Sequence, residues 1–253
     1  MRQTLVLNVV GLTPHLLGDH TPNLRALSKR GGVRTLCTIT PAVTCSVQST
    51  FTTGLLPRDH GCVANGWYFR ELAEVSLWRQ SNSLVSGEKV WDAAKARDSA
   101  FSCAKLFWWY NMYATADVTV TPRPQYPADG RKVPDIYTQP PELREELQER
   151  LGTFPLFFFW GPLAGIKSTE WIVRSTLHVM ETRRPTLTLV YLPHLDYNLQ
   201  RLGPNHPDLA ADLRAVDALC GELIDKAEQN GAAIVVLSEY GITEVSDAVH
   251  INR

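Results

Sequence analysis

The sequence predicts an α/β protein whose central sheet is mostly parallel, with helices on both faces. Short apolar runs alternate with longer amphipathic segments, as in a chain of strand–helix–strand units. The runs at residues 5–10 and 232–237 are almost continuously apolar, which is typical of parallel strands covered on both sides. With 253 residues the chain can bury a substantial core. We expect a single domain over residues 1–253, with an irregular insertion at about 66–165.

The first quarter of the chain has clear element boundaries. Residues 5–10 form the first predicted strand, and a helix follows over 21–30, with Thr21 as its cap and Pro22 at its first position. Gly31 and Gly32 end that helix, and residues 33–38 are predicted to be a second strand. A further helix over 44–53 ends at Gly54.

The remaining elements are less regular until residue 165. Residues 104–110 are predicted to be an aromatic strand or buried segment, and residues 121–143, with six prolines, an irregular excursion. The other predicted helices cover residues 88–97, 142–151, 169–182 and 207–229, and the other strands cover 186–192 and 232–237.

Charge and cysteine content exclude several classes of function. The formal net charge is −1 and the basic residues are dispersed, so neither nucleic acid nor an anionic membrane is expected as a partner. The five cysteines form no C-x-x-C pair, which excludes a zinc ribbon and a thioredoxin-type motif. We expect free thiols in a reducing compartment and a cytoplasmic location. The sequence does not determine the oligomeric state.

Polar residues follow several predicted strands at their carboxyl ends, where the chemistry of parallel sheets is found. The segments 8–13, 41–46, 193–200 and 238–243 are therefore expected to converge. Thr44 begins a helix after a loop, so its hydroxyl lies near unpaired N–H groups and the positive end of the helix dipole. That position suits an attacking alkoxide or a bound phosphate oxygen, although a threonine there can equally be a simple helix cap.

The stretch 41–61 resembles the nucleophile region of the nucleotide pyrophosphatase/phosphodiesterase and phosphonoacetate hydrolase branch of the alkaline phosphatase superfamily. The similarity extends from residue 4 to about residue 245 and is weakest in the middle. The matching positions are Thr21–Leu24, Pro41, Thr44, Thr53, Gly54, Pro57, His60, Gly61, Asn65, Asp196 and the segment 238–241.

This resemblance implies an alkaline-phosphatase-like core and a metal-dependent hydrolase of phosphodiester, pyrophosphate or phosphonate bonds. Thr44 would be the nucleophile, Asn65 would hold a phosphoryl oxygen, and Asp196 and Glu239 would be metal ligands. The family uses two divalent ions, usually zinc, as a clamp on an in-line displacement. Asp196 and Glu239 together could instead hold one ion of magnesium or manganese. The implied partner is a small phosphorylated or phosphonate substrate.

Several ligand positions depart from the family pattern. Val10 stands where the family has aspartate, Gln200 where it has histidine, and Glu239 and Tyr240 where it has aspartate and histidine. The alternative is therefore a catalytically degenerate relative that acts as a binding or scaffold module, and a transferase or isomerase that uses Thr44 covalently is a weaker third. Family members continue further, so we expect the chain to be a fragment that lacks the last histidine ligand.

Other residues have both an ordinary and a functional interpretation. Asn8 is expected to lie within the sheet, and His15, His20 and His194 to be surface or hydrogen-bonded histidines. His250 could reach the site only if the C-terminal segment folded back. The aromatic residues at 107–110 and 67–68 are expected to pack in the core, or else to wall a substrate pocket. Arg123, Arg131 and Lys132 are expected in a solvated loop, or else to clamp a phosphate.

Overall fold

A computed structural model describes residues 1–250 of the chain. Its centre is a six-stranded sheet in the order β6-β5-β4-β7-β1-β8, beside a separate hairpin of β2 and β3. All neighbouring strands of the large sheet are parallel except β5 and β6. The strands are β1 (Thr4–Val9), β2 (Gly66–Phe69), β3 (Glu74–Leu77), β4 (Cys103–Leu106), β5 (Val118–Pro122), β6 (Ile136–Gln139), β7 (Leu187–Leu192) and β8 (Ala233–Leu237).

Helices cover both faces of the sheet, as predicted. Alternate residues of β1 face opposite sides: Leu5 and Leu7 pack in the large core cluster, whereas Val6 packs with Trp91 in a smaller one. The fold class inferred from the sequence is confirmed. The helices are α1 (Pro22–Gly31), α2 (Thr44–Thr53), α3 (Pro57–His60), α4 (Val90–Arg97), α5 (Leu143–Leu151), α6 (Ile166–Thr182), α7 (His194–Leu202) and α8 (Leu209–Gln229).

Two predicted elements are wrong. Residues 33–38 form no strand: β1 already has β7 and β8 as neighbours, and Val33 and Leu36 are exposed, so this apolar run is not buried in the sheet. Residues 121–143 are more regular than predicted, since β6 lies within them and pairs antiparallel with β5. Its prolines fall outside the paired residues of β6 or at the end of β5. The interval 66–165 thus contributes three strands, β4 to β6, to the central sheet.

The start of α1 is capped by a distant carboxylate and not by Thr21. Asp217 of α8, which is 1% exposed, accepts hydrogen bonds from the backbone N–H groups of Asn23 (3.0 Å) and Leu24 (2.9 Å). The Thr21 hydroxyl instead donates to the carbonyl of Leu16 and accepts from the N–H of Gly18. Pro22 does occupy the first turn, as predicted.

The last strand along the chain, β8, is an edge strand of the large sheet and pairs only with β1 among the described strands. Val235, in the middle of β8, is 44% exposed. Within residues 1–250, no helix has the length and apolar character needed to cross a lipid bilayer.

Candidate functional site

The carboxyl ends of β1, β7 and β8 lie side by side and bring together the predicted segments. Gly11 and Gly241 form an isolated parallel bridge beyond the ends of β1 and β8. Gly11 has a φ of +82°, and a Cβ atom there would stand 2.6 Å from Leu199 of α7. Glycine is therefore required at this position by both backbone conformation and space. This close approach places the start of α7, with Asp196, against the loop after β1.

Thr44 is the first residue of α2 and is 3% exposed. The cap residue is Val43, whose side chain makes no capping hydrogen bond, so Thr44 is not the helix cap. The N–H of Cys45 donates to Asn65 Oδ1 at 2.9 Å. The N–H groups of Thr44 and Ser46 have no acceptor in the described part of the chain. The start of α2 therefore retains free donors at the positive end of its dipole.

Asn65 and Thr44 are brought together as the resemblance implied. Because Asn65 uses its carbonyl oxygen on α2, its amide nitrogen remains the free end of the side chain. An amide N–H at this position can donate to an oxygen bound beside Thr44. The geometry fits the predicted role of Asn65, which remains a prediction.

Glu239 lies beside Thr44 and is 1% exposed. Its Oε1 accepts two hydrogen bonds, from Asn8 Nδ2 at 2.7 Å and from Gln48 Nε2 at 2.5 Å, and its Oε2 is buried with no partner among residues 1–250. Burial raises the pKa of Glu239 to about 7, although the amides of Gln48 and Asn8 and the hydroxyl of Thr44 act in the opposite direction. Glu239 therefore changes charge near neutral pH.

Asp196 is held by two other side chains. The hydroxyl of Tyr240 donates to Oδ1 at 3.0 Å, and Gln200 Nε2 donates to Oδ2 at 2.8 Å. Burial raises the pKa of Asp196, and the two hydrogen bonds lower it in part. Tyr191, the fifth residue of β7, lies opposite Asn8 in the pairing of β1 with β7, and Asn8 donates to Glu239. Tyr240, the donor to Asp196, directly follows Glu239, so these side chains share the carboxyl edge of the sheet. Burial is the main cause of the raised pKa of Tyr191.

The residues at this site do not fit the two-metal centre that the family resemblance implies. A tightly bound zinc ion needs at least three protein ligands of nitrogen, sulfur or carboxylate type. No group of three His, Cys, Asp or Glu side chains suited to a metal occurs within residues 1–250. Asp196 and Glu239 are the carboxylates present. Both oxygens of Asp196 and Oε1 of Glu239 accept hydrogen bonds from neighbouring amides and a phenol, whereas Glu239 Oε2 has no partner among residues 1–250.

His60, which matches the family pattern, lies outside the group around Thr44 and has a structural role. Its Nε2 contacts Thr50 Oγ1 at 3.0 Å, and its Nδ1 accepts from the N–H of Cys62 at 3.1 Å. It is fully buried, and burial lowers its pKa. The residue therefore joins α2 to the turn after α3 and keeps the loop that carries Asn65 in place.

Sequence reasoning missed three members of the site. Asn8 was expected to lie away from it, but it pairs with Leu237 of β8 and its side chain reaches Glu239, two residues further along the chain. Gln48 lies one turn after Thr44 on α2, and that four-residue spacing was the available signal. Tyr191 lies near the end of a parallel strand, which was a second signal.

The histidine predictions agree with the described contacts. His15 is exposed, and His250 is exposed as well. His20 contacts Arg214, and His194 Nε2 lies 2.9 Å from Asp212 Oδ1.

A cavity of about 850 Å³ adjoins the site through Tyr191. Three lining residues are cationic, namely Arg79, Arg123 and Lys132, and none of the described lining residues is acidic. Three tryptophans also line it: Trp109 lies between Trp78, at 4.9 Å between ring centroids, and Trp160, at 6.4 Å. The cavity therefore combines flat aromatic surfaces with positive charge.

The sequence left two interpretations for the aromatic residues of 107–110 and for Arg123, Arg131 and Lys132. In the structure some of these residues pack in the core or face solvent, and others line the cavity. Phe107 and Trp108 pack in the core clusters, whereas Trp109 both packs and lines the cavity. Arg123 and Lys132 line the cavity, and Lys132 Nζ lies 5.4 Å from the ring centre of Trp160. Arg131 is paired with the exposed Asp129 and does not line it.

The chain matches known proteins along almost its whole length. The profile of the family described as type I phosphodiesterase / nucleotide pyrophosphatase matches residues 4–253. An uncharacterised pyrophosphatase/phosphodiesterase of Schizosaccharomyces pombe is 27% identical over 244 residues, which are 92% of this chain and 43% of that protein. The chain thus spans less than half the length of this curated relative.

Two solved structures show the same fold. Murine ectonucleotide pyrophosphatase/phosphodiesterase 5, an inactive variant in complex with AMP, matches with a TM-score of 0.64 at 17% identity, over 97% of this chain and 59% of that one. Phosphonoacetate hydrolase from Sinorhizobium meliloti, in complex with phosphonoformate, matches with a TM-score of 0.63 at 16% identity, over 95% of this chain and 56% of that one.

Proposed function

The chain belongs to the type I phosphodiesterase / nucleotide pyrophosphatase family, and on that basis we propose that it hydrolyses phosphodiester, pyrophosphate or phosphonate bonds through Thr44. The observation that carries the proposal is the position of Thr44, as the first residue of α2 with free backbone donors beside it and Asn65 tied to the same turn. An anionic phosphoryl oxygen is stabilised at such a helix start.

The proposed reaction is a two-step displacement at phosphorus. The Thr44 oxygen forms a bond to phosphorus while the bond to the leaving group breaks, and Asn65 donates to a non-bridging oxygen. The threonine proton passes to Glu239 Oε2, the buried carboxylate oxygen that has no described partner. Water then attacks the phosphothreonine and the bond between phosphorus and the Thr44 oxygen breaks, which releases the phosphorylated product. Glu239 returns its proton to the Thr44 oxygen, and the proton that water loses neutralises the anionic leaving group.

The neighbouring cavity supports binding of the rest of the substrate. Its three cationic residues favour an anion, and its tryptophans offer flat surfaces for an organic group. AMP is bound by the murine relative of similar fold, and phosphonoformate by phosphonoacetate hydrolase. A small phosphorylated or phosphonate compound is therefore the substrate class we propose.

Hydrolysis of bis(p-nitrophenyl) phosphate, of a dinucleoside pyrophosphate and of phosphonoacetate tests the proposal on the purified chain. Thr44→Ala should lower kcat/KM by about 10³-fold, because the nucleophile is lost. Thr44→Ser keeps a hydroxyl and should retain part of the rate, and Thr182→Ala, on the exposed end of α6, is the matched control. Equal rates in the wild type and Thr44→Ala would exclude Thr44 as the nucleophile.

A binding module without hydrolytic activity is the second candidate. It is favoured by the small number of metal ligands, because no group of three His, Cys, Asp or Glu side chains suited to a metal occurs within residues 1–250 and the family resemblance implies a metal-dependent reaction. Saturable binding of the same compounds without product formation, and binding that survives Thr44→Ala, would support this candidate over the hydrolase.

A further inference from the structure

We infer that this site functions without a tightly bound divalent ion, because hydrogen-bond donors stand beside its two carboxylates where further metal ligands would be needed. The inference concerns the site of the proposed function and rests on that proposal for its ligand. The evidence is the chemistry of two groups of side chains, one around Asp196 and the other around Glu239.

The first group surrounds Asp196, whose two oxygens each accept one hydrogen bond. Tyr240 supplies a phenol O–H and Gln200 an amide N–H, at 3.0 Å and 2.8 Å. Both donors lie on the carboxylate itself. Each oxygen keeps a lone pair that could face a cation. Gln200 and Tyr240, however, act as donors to Asp196, so a cation there would gain a single carboxylate without the imidazoles that a tight zinc site needs.

The second group surrounds Glu239 and is fixed in orientation by the backbone. Gln48 accepts a hydrogen bond from the N–H of Trp109 on its Oε1, at 2.7 Å. Its Nε2 must therefore face Glu239, so that Gln48 presents a donor there and not a carbonyl oxygen that could bind a cation. Asn8 adds a second donor on the same carboxylate oxygen.

Glu239 Oε2 and Asn8 Oδ1 are the buried oxygens on this side that have no partner among residues 1–250. One carboxylate oxygen, with an amide oxygen and the hydroxyl of Thr44, is a poor ligand set for zinc, which is bound tightly by at least three protein ligands of nitrogen, sulfur or carboxylate type. Magnesium binds through one or two carboxylates while water and substrate phosphate complete its octahedron, so this set supports only weak magnesium binding without substrate. The side chains at this site therefore supply too few ligands for a tightly bound ion.

The test is isothermal titration of the full chain with ZnCl₂ and with MnCl₂, combined with elemental analysis after dialysis. Q200H/Y240H replaces the two donors on Asp196 with imidazoles, so that three ligand groups meet. This variant should bind zinc at least about 100-fold more tightly than the wild type, as expected when a single carboxylate becomes a three-ligand site. Q200L/Y240F, the matched control, removes the donors without adding ligands and should bind zinc no more tightly than the wild type.

Several outcomes would decide the matter. Wild-type chain with about one zinc or manganese per molecule, bound at submicromolar concentration and lost in Asp196→Asn, would overturn the inference. If Q200H/Y240H fails to fold, wild-type titration alone still decides, and circular dichroism reports the folding of each variant.

Hydrolysis measured in the same samples separates this inference from the proposed function. Turnover that persists in EDTA supports both. Turnover that appears only with added metal supports the proposed hydrolase and overturns the inference. Absence of both turnover and metal binding supports the inference and contradicts the proposed hydrolase.

Discussion

The starts of α1 and α2 solve the same electrostatic problem in opposite ways. Each helix follows a loop and has unpaired N–H groups at its first turn. At α1, the buried Asp217 accepts from two of these groups and supplies a negative charge against the helix dipole. At α2, the neutral Asn65 accepts from one group, and no described carboxylate accepts from that turn.

The difference indicates which helix start is available to a ligand. Asp217 neutralises the start of α1 from within the fold and anchors α1 to α8, so this helix start has a structural role. At the start of α2, the free backbone N–H groups and the hydroxyl of Thr44 remain available, so an anion can bind there. The predictions below exchange or remove the groups that distinguish the two helix starts.

The largest effect is expected on removal of the internal cap of α1. Asp217→Ala leaves the N–H groups of Asn23 and Leu24, the second of them buried, without this acceptor and should lower the free energy of unfolding by about 3 kcal/mol. Asp217→Asn keeps an acceptor but no charge and should cost about half as much. Urea denaturation measures both variants, and a loss below about 0.5 kcal/mol for Asp217→Ala would show that Asp217 does not anchor α1.

Giving α2 the type of cap that α1 has should cost function and not stability. Asn65→Asp places a carboxylate on the N–H of Cys45, so it should retain or slightly raise the stability while lowering kcat/KM for a phosphodiester by about 30-fold through repulsion of the anion. Asn65→Ala, which removes the acceptor without adding charge, separates repulsion from loss of the hydrogen bond. A fully active Asn65→Asp chain would contradict an anion site at α2.

Glu239 should make stability depend on pH. Because its folded pKa is raised to about 7 from an ordinary 4.5, the folded chain holds a proton that the unfolded chain releases between these values. Its contribution is therefore fully present below pH 4.5 and lost as the pH rises through 7. Glu239→Gln carries no titrating group here and should not lose this stability. The difference in free energy of unfolding, variant minus wild type, should therefore rise by about 2 kcal/mol between pH 5 and pH 8. Denaturation at both pH values measures it, and a constant difference would contradict a raised pKa.

The smallest effect is expected at Thr21. Thr21→Val removes one hydrogen bond to the Leu16 carbonyl and one from the Gly18 N–H, both in the loop before α1. It should lower the free energy of unfolding by about 1 kcal/mol, less than Asp217→Ala, because it does not cap the helix. A larger loss than in Asp217→Ala would restore Thr21 as the main support of α1.

Sequence patterns predicted the local features of this molecule well. Apolar runs located β1, β7 and β8, and Gly54, with a φ of +68°, marked the end of α2. These features depend on neighbouring residues, so a single sequence contains their signal. The family resemblance supplied Thr44 and Asn65, which the fold brings together.

Contacts between distant residues could not be predicted in this way. Asp217 lies 194 positions from Asn23, and Glu239 lies 191 positions from Gln48, so no local pattern joins either pair. The β6 strand was missed because prolines surround it and because it is an edge strand that pairs antiparallel with β5. Such contacts follow from strand order, which the sequence pattern alone left open.

Binding of orthovanadate to the start of α2 tests the central claim most directly. Vanadate resembles a phosphoryl group. The chain is first dialysed against EDTA and then into metal-free buffer without EDTA, which itself chelates vanadate, so that calorimetry measures binding in the absence of divalent ions. We predict saturable binding near one vanadate per wild-type chain and binding at least about 10-fold weaker in Asn65→Asp. Equal affinity in both chains, or no binding to the wild type, would contradict an anion site at α2 that operates without metal.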